Sequence, residues 1–507
     1  MQEDQNPVTG LTLKYMRRVA VIGSGFAGYG AIVALQRLED VEIHLIDIGL
    51  TKMLPGQPDI AVPNAKKCNG TYFPYGLNDA MSPVKLISDR ICSSHAFGGY
   101  STVYSGAISY PKNSDLNEWP SESRPLGVDY RAILESMPTW YDHDELDTQF
   151  PMPPSDSDLG AEPPRQDLDV LGVSRIATNR PVANAPANVL PFTTGDVLRR
   201  LIEEGRIVYH PQCYVEKIMH SAEETKVHYL CAGEGFSEAF DAIFVGAGCV
   251  NTTGIVDRSL FGEGEREYPL QMVTGTMQSF LRPSLRPPKS IRARQLNNLP
   301  GFFLEINSAL TGHAWAHVQI SAVNDQIVEA ICSRLPSLLH PVVRLSRPIF
   351  YFAVCVGHSR FGRNATIRCS TTKAYDDSLS HRIVVEETPS STRAQGINLS
   401  KAVRKAVARH WRPLRMVPVP FDEVLGSFFR RNQLGFWHFG GTLPMSDSPG
   451  SRAGCLPSGE INGLRNVFVV DSAAFPTVPA STAALLIAAH AHRVVRQRFE
   501  IQINQTS

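Results

Sequence analysis

Residues 18–38 read RVAVIGSGFAGYGAIVALQRL. Val19 to Ile22 is a short β-branched run, the pattern of a buried strand. Gly23, Gly25 and Gly28 form G-x-G-x-x-G, with Phe26 and Ala27 inside it. AIVALQRL follows with helical spacing and good helix formers. A second apolar run, VEIHLID, ends in Asp47, 19 residues after Gly28. Strand, glycine loop, helix, strand and terminal acid make up the fingerprint of a dinucleotide-binding βαβ unit. Gly23 allows the tight turn, Gly25 lets backbone N–H groups approach a pyrophosphate, and Gly28 lets helix and strand pack closely. Asp47 is placed to accept hydrogen bonds from an adenosine ribose. The loop alone does not separate FAD from NAD. Its position early in a long chain leans toward FAD.

The chain has 507 residues, enough for two or three structural units. Its 49 basic and 49 acidic residues cancel, so net charge offers no general attraction for nucleic acid. The nine cysteines are 68, 92, 213, 231, 249, 332, 355, 369 and 455. They are scattered and form no C-x-x-C pair. Free thiols in a reducing compartment are expected, with neither a disulfide framework nor a metal site. The segment MQEDQNPVTGLTLKYMRR is polar and reads as carrying no export signal. No run reaches the roughly 18 uninterrupted apolar residues of a membrane span. A cytoplasmic protein is expected, with peripheral membrane association as the alternative.

Three further stretches share a pattern with the glycine loop. HAFGGYSTVYSGAISYPKNSDLNEWP spans residues 95–120, and FDAIFVGAGCVNTTGIV spans residues 240–256. The third runs from WHFGGTLPM to LRNVFVVDSAAFPTVPASTAALLIAAHAHRV, residues 437–494. Together they resemble the glucose–methanol–choline (GMC) family of FAD-dependent oxidoreductases. The resemblance implies an α/β chain with a Rossmann-like FAD-binding domain assembled from residues 15–130, 185–265 and 432–507. It also implies a substrate-binding domain on an antiparallel sheet over 266–431, with 131–184 as a loop or lid insertion. Gly98, Gly99, Ser101 and Val103 would pass close to the pyrophosphate and flavin. Val215 would meet the adenine through its backbone. Ala247 and Gly248 would turn under the adenosine end, and Asp471 would contact the ribitol or phosphate region. The helix beginning near Thr482 to Ala484, with Ala483 in its first turn, would point its N-terminus at the flavin pyrimidine edge.

The same resemblance makes His438, in H-F-G-G-T, the candidate base that takes a hydroxyl proton as hydride leaves for flavin N5. Gly440 and Gly441 beside it allow a close backbone approach. The family usually places a second histidine or an asparagine where this chain has Thr482. A threonine can donate and accept one hydrogen bond but cannot act as a base near neutral pH. His490 and His492 lie on a mainly apolar helix and read as packed or surface residues. His95 has no covalent-attachment motif around it, so the FAD is expected to be noncovalent.

The stretch PMPPSDSDLGAEPPRQDLD is rich in Pro, Ser and acid and reads as a long exposed loop. Alternating β-rich runs at 300–325 and 347–388 predict an antiparallel sheet roofing the flavin. Between them, IVEAICSRLPSLLHPVVRLSRPIF mixes apolar residues with Arg334, Arg344 and Arg347. It fits a packed helix pair covering the pocket, or a basic amphipathic flap touching lipid or an apolar substrate. The function expected is oxidation of a CH–OH group in an alcohol, sugar or polyol-like substrate. A quinone, a dye-like acceptor or O2 would take the electrons. A flavin-dependent desaturase or amine oxidase, and a flavoprotein that has lost turnover, are the alternatives. No G-x-S-x-G elbow points to a hydrolase.

Overall fold

The computed structural model describes residues 16–50, 93–102, 106–140, 191–231, 233–281, 336–361, 363–373, 379–387, 392–409, 438–448 and 453–500. It also describes the short stretches 84–86, 170–173, 175–178, 302–307, 315–322 and 416–418, and a few single positions. Val103 lies outside the described residues, as do Cys68, Cys92 and the Pro/Ser-rich segment 151–169.

The chain is a mixed α/β protein with several sheets. One sheet is fully parallel and draws strands from four separate regions of the chain. Strands β1 (Arg17–Ile22), β2 (Val41–Ile46), β3 (Val208–His210), β4 (Ala242–Val245) and β5 (Val467–Val469) lie in the order β5-β4-β1-β2-β3. β1 is the centre, with Val19 opposite Ile43 on one side and Ala242 on the other. Its Val19, Ala20 and Val21 are fully buried, as the β-branched run requires of a strand covered on both faces.

Helix α1 (Phe26–Leu35) follows β1 and packs on the long helix α3 (Ala483–Arg498). A methyl group at Gly30 would lie 2.2 Å from the Ala488 carbonyl oxygen, so this glycine sets how closely the two helices approach. Helix α2 (Cys249–Leu260) leaves the end of β4.

Two antiparallel sheets stand where one was expected. Phe302–Asn307, Trp315–Ala322 and Phe350–Gly357 belong to a six-stranded sheet with Thr274–Leu281, Val417–Pro418 and Val170–Val173. Arg363–Lys373 and Leu379–Glu387 instead pair with Gly264–Met272, Phe439–Gly440 and, in parallel, Val84–Leu86. Alternation marks a strand but not its partner, so sequence could not assign strands between sheets.

The described parts of 131–184 include regular elements, while 141–169 and 179–184 lie outside the described residues. A helix, Gly127–Ser136, runs into the segment, and Val170–Val173 joins the six-stranded sheet. Thr139–Trp140 and Arg175–Ala177 pair in a small sheet with Ala107–Ile108. Two- to four-residue strands are too short for periodicity to register.

Cys213 and Cys231 correct the thiol reading. They sit opposite each other on neighbouring antiparallel strands, Cys213–His220 and Thr225–Cys231, and form a disulfide. Their separation of 18 residues gave no signal, because a hairpin partner is chosen by register rather than by spacing. Among the described residues, Cys249, Cys332, Cys355, Cys369 and Cys455 are free and buried. No helix among the described residues is long and apolar enough to cross a membrane.

Of the segment 327–350, Ser337–Ile349 forms a short helical run, and most of 327–335 lies outside the described residues. The run consists of a 3-10 turn, the helix His340–Ser346 and a second 3-10 turn. Its Leu338 and Leu345 are 85% and 81% exposed.

Candidate functional site

The residues immediately following β1, β2, β4 and β5 converge on one cleft. It encloses about 1200 Å3 including the open space at its mouth. Gly23, Ser24, Gly25, Phe26 and Ala27 come from the end of β1, and Asp47 from the end of β2. Ala247, Gly248, Cys249 and Asn251 come from the end of β4, and Asp471 and Ser472 from the end of β5. Gly99, Val215, His438 and Ala483 also line it. A crevice at the carboxyl ends of parallel strands, where the strand order reverses, is where α/β sheets bind ligands.

The loop after β1 is shaped by what a side chain would meet. Gly23 has φ +97, and a methyl group on it would lie 2.4 Å from the Gly246 carbonyl oxygen. At Gly28 it would lie 1.8 Å from the Gly23 carbonyl oxygen. Gly28 therefore serves loop–helix packing and does not line the cleft. Gly25 differs: a methyl group there finds nothing nearer than the Gly99 Cα, 3.9 Å away. Gly25 is also the N-cap of α1 and makes no side-chain cap, leaving first-turn N–H groups without that partner.

No Lys or Arg is among the described residues lining the cleft. A diphosphate bound there would rely on backbone N–H groups and the α1 N-terminus for its neutralisation.

Ser24 was not singled out by the sequence reading. Its hydroxyl donates to the Asp47 carboxylate and accepts the Gly98 N–H at 2.7 Å, and its carbonyl accepts from the Thr194 hydroxyl at 2.8 Å. It thereby ties the glycine loop, β2 and the Gly98–Gly99 turn together. Burial pushes the Asp47 carboxyl up to about 6, against the hydrogen bonds from Ser24 and the Gly49 and Ile48 N–H groups.

Asp471 is buried and accepts from the Thr252 hydroxyl at 2.5 Å and the Ala473 N–H at 2.9 Å. Burial likewise pushes it up to about 6. It clamps α2 to the chain after β5 while facing the cleft.

His438 lines the cleft and is half-buried. Its position is set through the backbone. The His438 carbonyl accepts the Val273 N–H at 3.1 Å, and Phe439–Gly440 pairs with Gln271–Met272. From the other side, the Ser472 hydroxyl donates to the Phe439 carbonyl at 2.9 Å, and the Gly441 N–H donates to the Ser472 carbonyl. A methyl group at Gly440 would lie 2.3 Å from that Ser472 oxygen. The close approach these glycines permit is thus to neighbouring backbone.

Several expected contacts are placed elsewhere. Ser101 is fully buried behind the cleft, its hydroxyl donating to the Gly98 carbonyl at 2.6 Å and lying 3.0 Å from that of Thr194. Gly98 does not line the cleft either. Thr482 is the N-cap of α3, buried and outside the cleft lining. Its hydroxyl pairs with that of Ser109 at 2.9 Å, and its N–H donates to the same Ser109 oxygen at 3.1 Å. Thr482→Val should therefore behave as a stability change of about 0.5–1.5 kcal/mol in urea denaturation, the value of one hydrogen bond. A loss of cleft chemistry exceeding that loss of stability would return Thr482 to the site.

His95 is buried and outside the cleft lining. His490 and His492 are packed, as their helix indicated, and His492 lies 2.8 Å from a buried Asp129 carboxylate oxygen.

Residues 363–491 match the family model described as GMC oxidoreductase. This part of the chain is similar to the C-terminal part of GMC oxidoreductases. The matched GMC segment contains His438, Asp471, Thr482 and Ala483. The solved structure of pyridoxine 4-oxidase from Mesorbium loti superposes with a TM-score of 0.58 at 13% identity. That match covers 96% of this chain and all of the other. It is a likeness of fold. No curated protein matches.

Proposed function

We propose that this chain is an FAD-dependent oxidoreductase that oxidises a CH–OH group, with His438 as the base. The observation that carries the reading is the shared cleft. Gly25 and the uncapped α1 N-terminus lie on it, as do the acid after β2 and a backbone-locked histidine from the GMC segment. The parallel sheet would be the core of the FAD-binding domain, and the antiparallel sheets would supply the substrate side. Oxidase and dehydrogenase chemistry differ only in the acceptor, which we leave as a quinone, a dye-like compound or O2.

The residues fit the cofactor. Gly25 leaves open space where a pyrophosphate would lie, and the Asp47 carboxylate faces the ribose position. Val215, Ala247 and Gly248 offer backbone to the adenosine end. Bound FAD would supply the hydride acceptor at N5. His438 Nε2 or Nδ1 would accept the substrate hydroxyl proton, and its locked backbone would fix where that nitrogen sits. Phe26, Ile255 and Ile487 would exclude water from the same cleft.

The direct test is the purified protein. It should be yellow, release FAD on denaturation, and bleach when an alcohol, sugar or polyol is added under nitrogen. Release of NAD, FMN or nothing after reconstitution would sink the proposal.

Gly25→Val should fold normally, because its φ of −69 and ψ of −168 suit a β-branched residue. FAD affinity should fall by about a hundredfold, since the side chain enters the pyrophosphate's space. Unchanged flavin retention would move the cofactor away from this loop.

Asp47 gives a pH dependence. Its carboxyl in the folded chain titrates at about 6, against about 3.9 when unfolded. A raised carboxyl lowers stability above pH 6, and that penalty fades as pH falls toward 4. A ribose hydroxyl donating to Asp47 favours the charged form. FAD should therefore bind about tenfold more weakly at pH 5 than at pH 7, as measured by flavin fluorescence on apoprotein. Flat affinity across that range would separate Asp47 from the ribose.

A further inference from the structure

Charge is balanced over the whole chain but not along it. Residues 330–375 contain no Asp or Glu and seven Lys or Arg. Residues 388–421 repeat this, again with no acid and seven Lys or Arg. Of their described parts, Phe350–Gly357 and Val417–Pro418 lie in the six-stranded sheet and helix Thr392–Arg409 covers it, while Arg363–Lys373 belongs to the other large sheet. That helix, Thr392–Arg409, buries Ala402, Val403, Ala406 and Val407 against Phe280 and Leu304 of the sheet. Its Lys401, Lys405 and Arg409, four residues apart, form an exposed row on the outer side.

The apolar part of the surface lies at one end of the same sheet. The helical run Ser337–Ile349 leads directly into strand Phe350–Gly357. Leu338, Val342 and Leu345 recur at helical spacing and are 85%, 62% and 81% exposed, with Leu339 partly exposed beside them. Arg344 sits between them, also exposed. Val417, another exposed aliphatic, pairs with Leu281, whose other partner is Phe350. Arg360 and Arg368 of the first stretch pair with Glu118, Glu265 and Glu267, so the cationic chemistry rests on Arg344 and the helix row. Outward aliphatic side chains together with such cations match the chemistry of an anionic lipid interface.

We infer that this face is a peripheral docking surface for an anionic lipid bilayer. Leu338, Val342 and Leu345 enter the headgroup–acyl boundary, while Arg344 and the Lys401–Lys405–Arg409 row meet the phosphates. A second copy of the chain fits less well. At roughly 100 Å2 per side chain, the five exposed aliphatics offer about 500 Å2. A stable dimer buries about 800 Å2 on each partner, and a two-fold contact would bring like charges together. The inference does not depend on the redox reading above, so the two can fail separately.

The test is flotation of the intact, FAD-loaded protein with vesicles of phosphatidylcholine alone or mixed with phosphatidylglycerol. Binding to the mixed vesicles should exceed binding to phosphatidylcholine by about tenfold at low salt and fall as salt is added. The double variant Leu338→Ser, Leu345→Ser should bind about tenfold less while keeping its flavin content. Lys401→Gln with Lys405→Gln should weaken binding to the anionic vesicles only. Leu345→Trp reports insertion without removing apolar surface: the emission of the introduced indole should shift to the blue on the mixed vesicles and be quenched by brominated acyl chains. Three results would each overturn the inference: absence of flotation with both vesicles, an emission from the Leu345→Trp protein that does not shift, or a protein that is dimeric until Leu338 and Leu345 are replaced. Salt-sensitive binding to a nucleic acid oligomer with none to vesicles would overturn it as well.

Discussion

His438→Ala should keep its FAD and its fold, yet reduce the flavin about 10²–10⁴-fold more slowly when an alcohol is added under nitrogen. The fold should survive because strand pairing at Phe439–Gly440 and the Ser472 hydrogen bonds run through backbone and neighbouring residues. The reaction should suffer because the proton acceptor on the cleft wall is gone. In free-energy terms the loss is about 2.7–5.5 kcal/mol of barrier. Stopped-flow absorbance reads it directly, with flavin content as the control. Reduction at the wild-type rate would remove His438 as the base. Loss of flavin instead of rate would make it a binding residue.

Asp129→Ala should destabilise the chain by about 3–5 kcal/mol, the usual cost of removing one partner from a buried ionic group. Asp129 is completely buried in helix Gly127–Ser136. It accepts from His492 Nδ1 at 2.8 Å, from Arg496 Nε at 2.9 Å and from the Leu126 N–H at 2.8 Å. Burial works to raise its carboxyl, but the hydrogen bonds from His492 and Arg496 outweigh that and hold it below the usual range. Removing it strands Arg496 and weakens the support for Arg493, which is fully buried and already pushed down to about 10 by burial.

The pH sign follows from the lowered carboxyl. Its stabilisation is present above the unfolded value of about 3.9 and is lost as pH falls through the folded value. Asp129→Asn should therefore flatten the acid limb of the stability curve as well as lower it at neutral pH. Urea denaturation across that range checks both. A neutral-pH loss below about 1 kcal/mol, the value of an exposed pair, would show that water reaches this site.

The sequence by itself determined the local parts. The βαβ unit was legible because strand, glycine loop and helix are each specified by neighbours within about four residues. The packing role of Gly28 is local too: its clash partner, Gly23, is five residues away. The GMC segment was legible through His438, Asp471 and the helix after Thr482, all inside residues 363–491.

Tertiary structure decided how distant pieces meet. β4 and β5 reach β1 and β2 only through parallel pairing over more than 200 residues, and side-chain alternation carries no partner information. Ser24 gains its role only through packing, which sets Asp47 and Gly98 on either side of it. Ser101 and Thr482 kept their places in the motif, but their hydroxyls turned to Thr194 and Ser109, because a buried hydroxyl must find a partner wherever one lies. The Cys213–Cys231 link and the outward leucines of Ser337–Ile349 have the same origin. Hairpin register and burial are properties of the assembled surface, and no spacing along the chain encodes them.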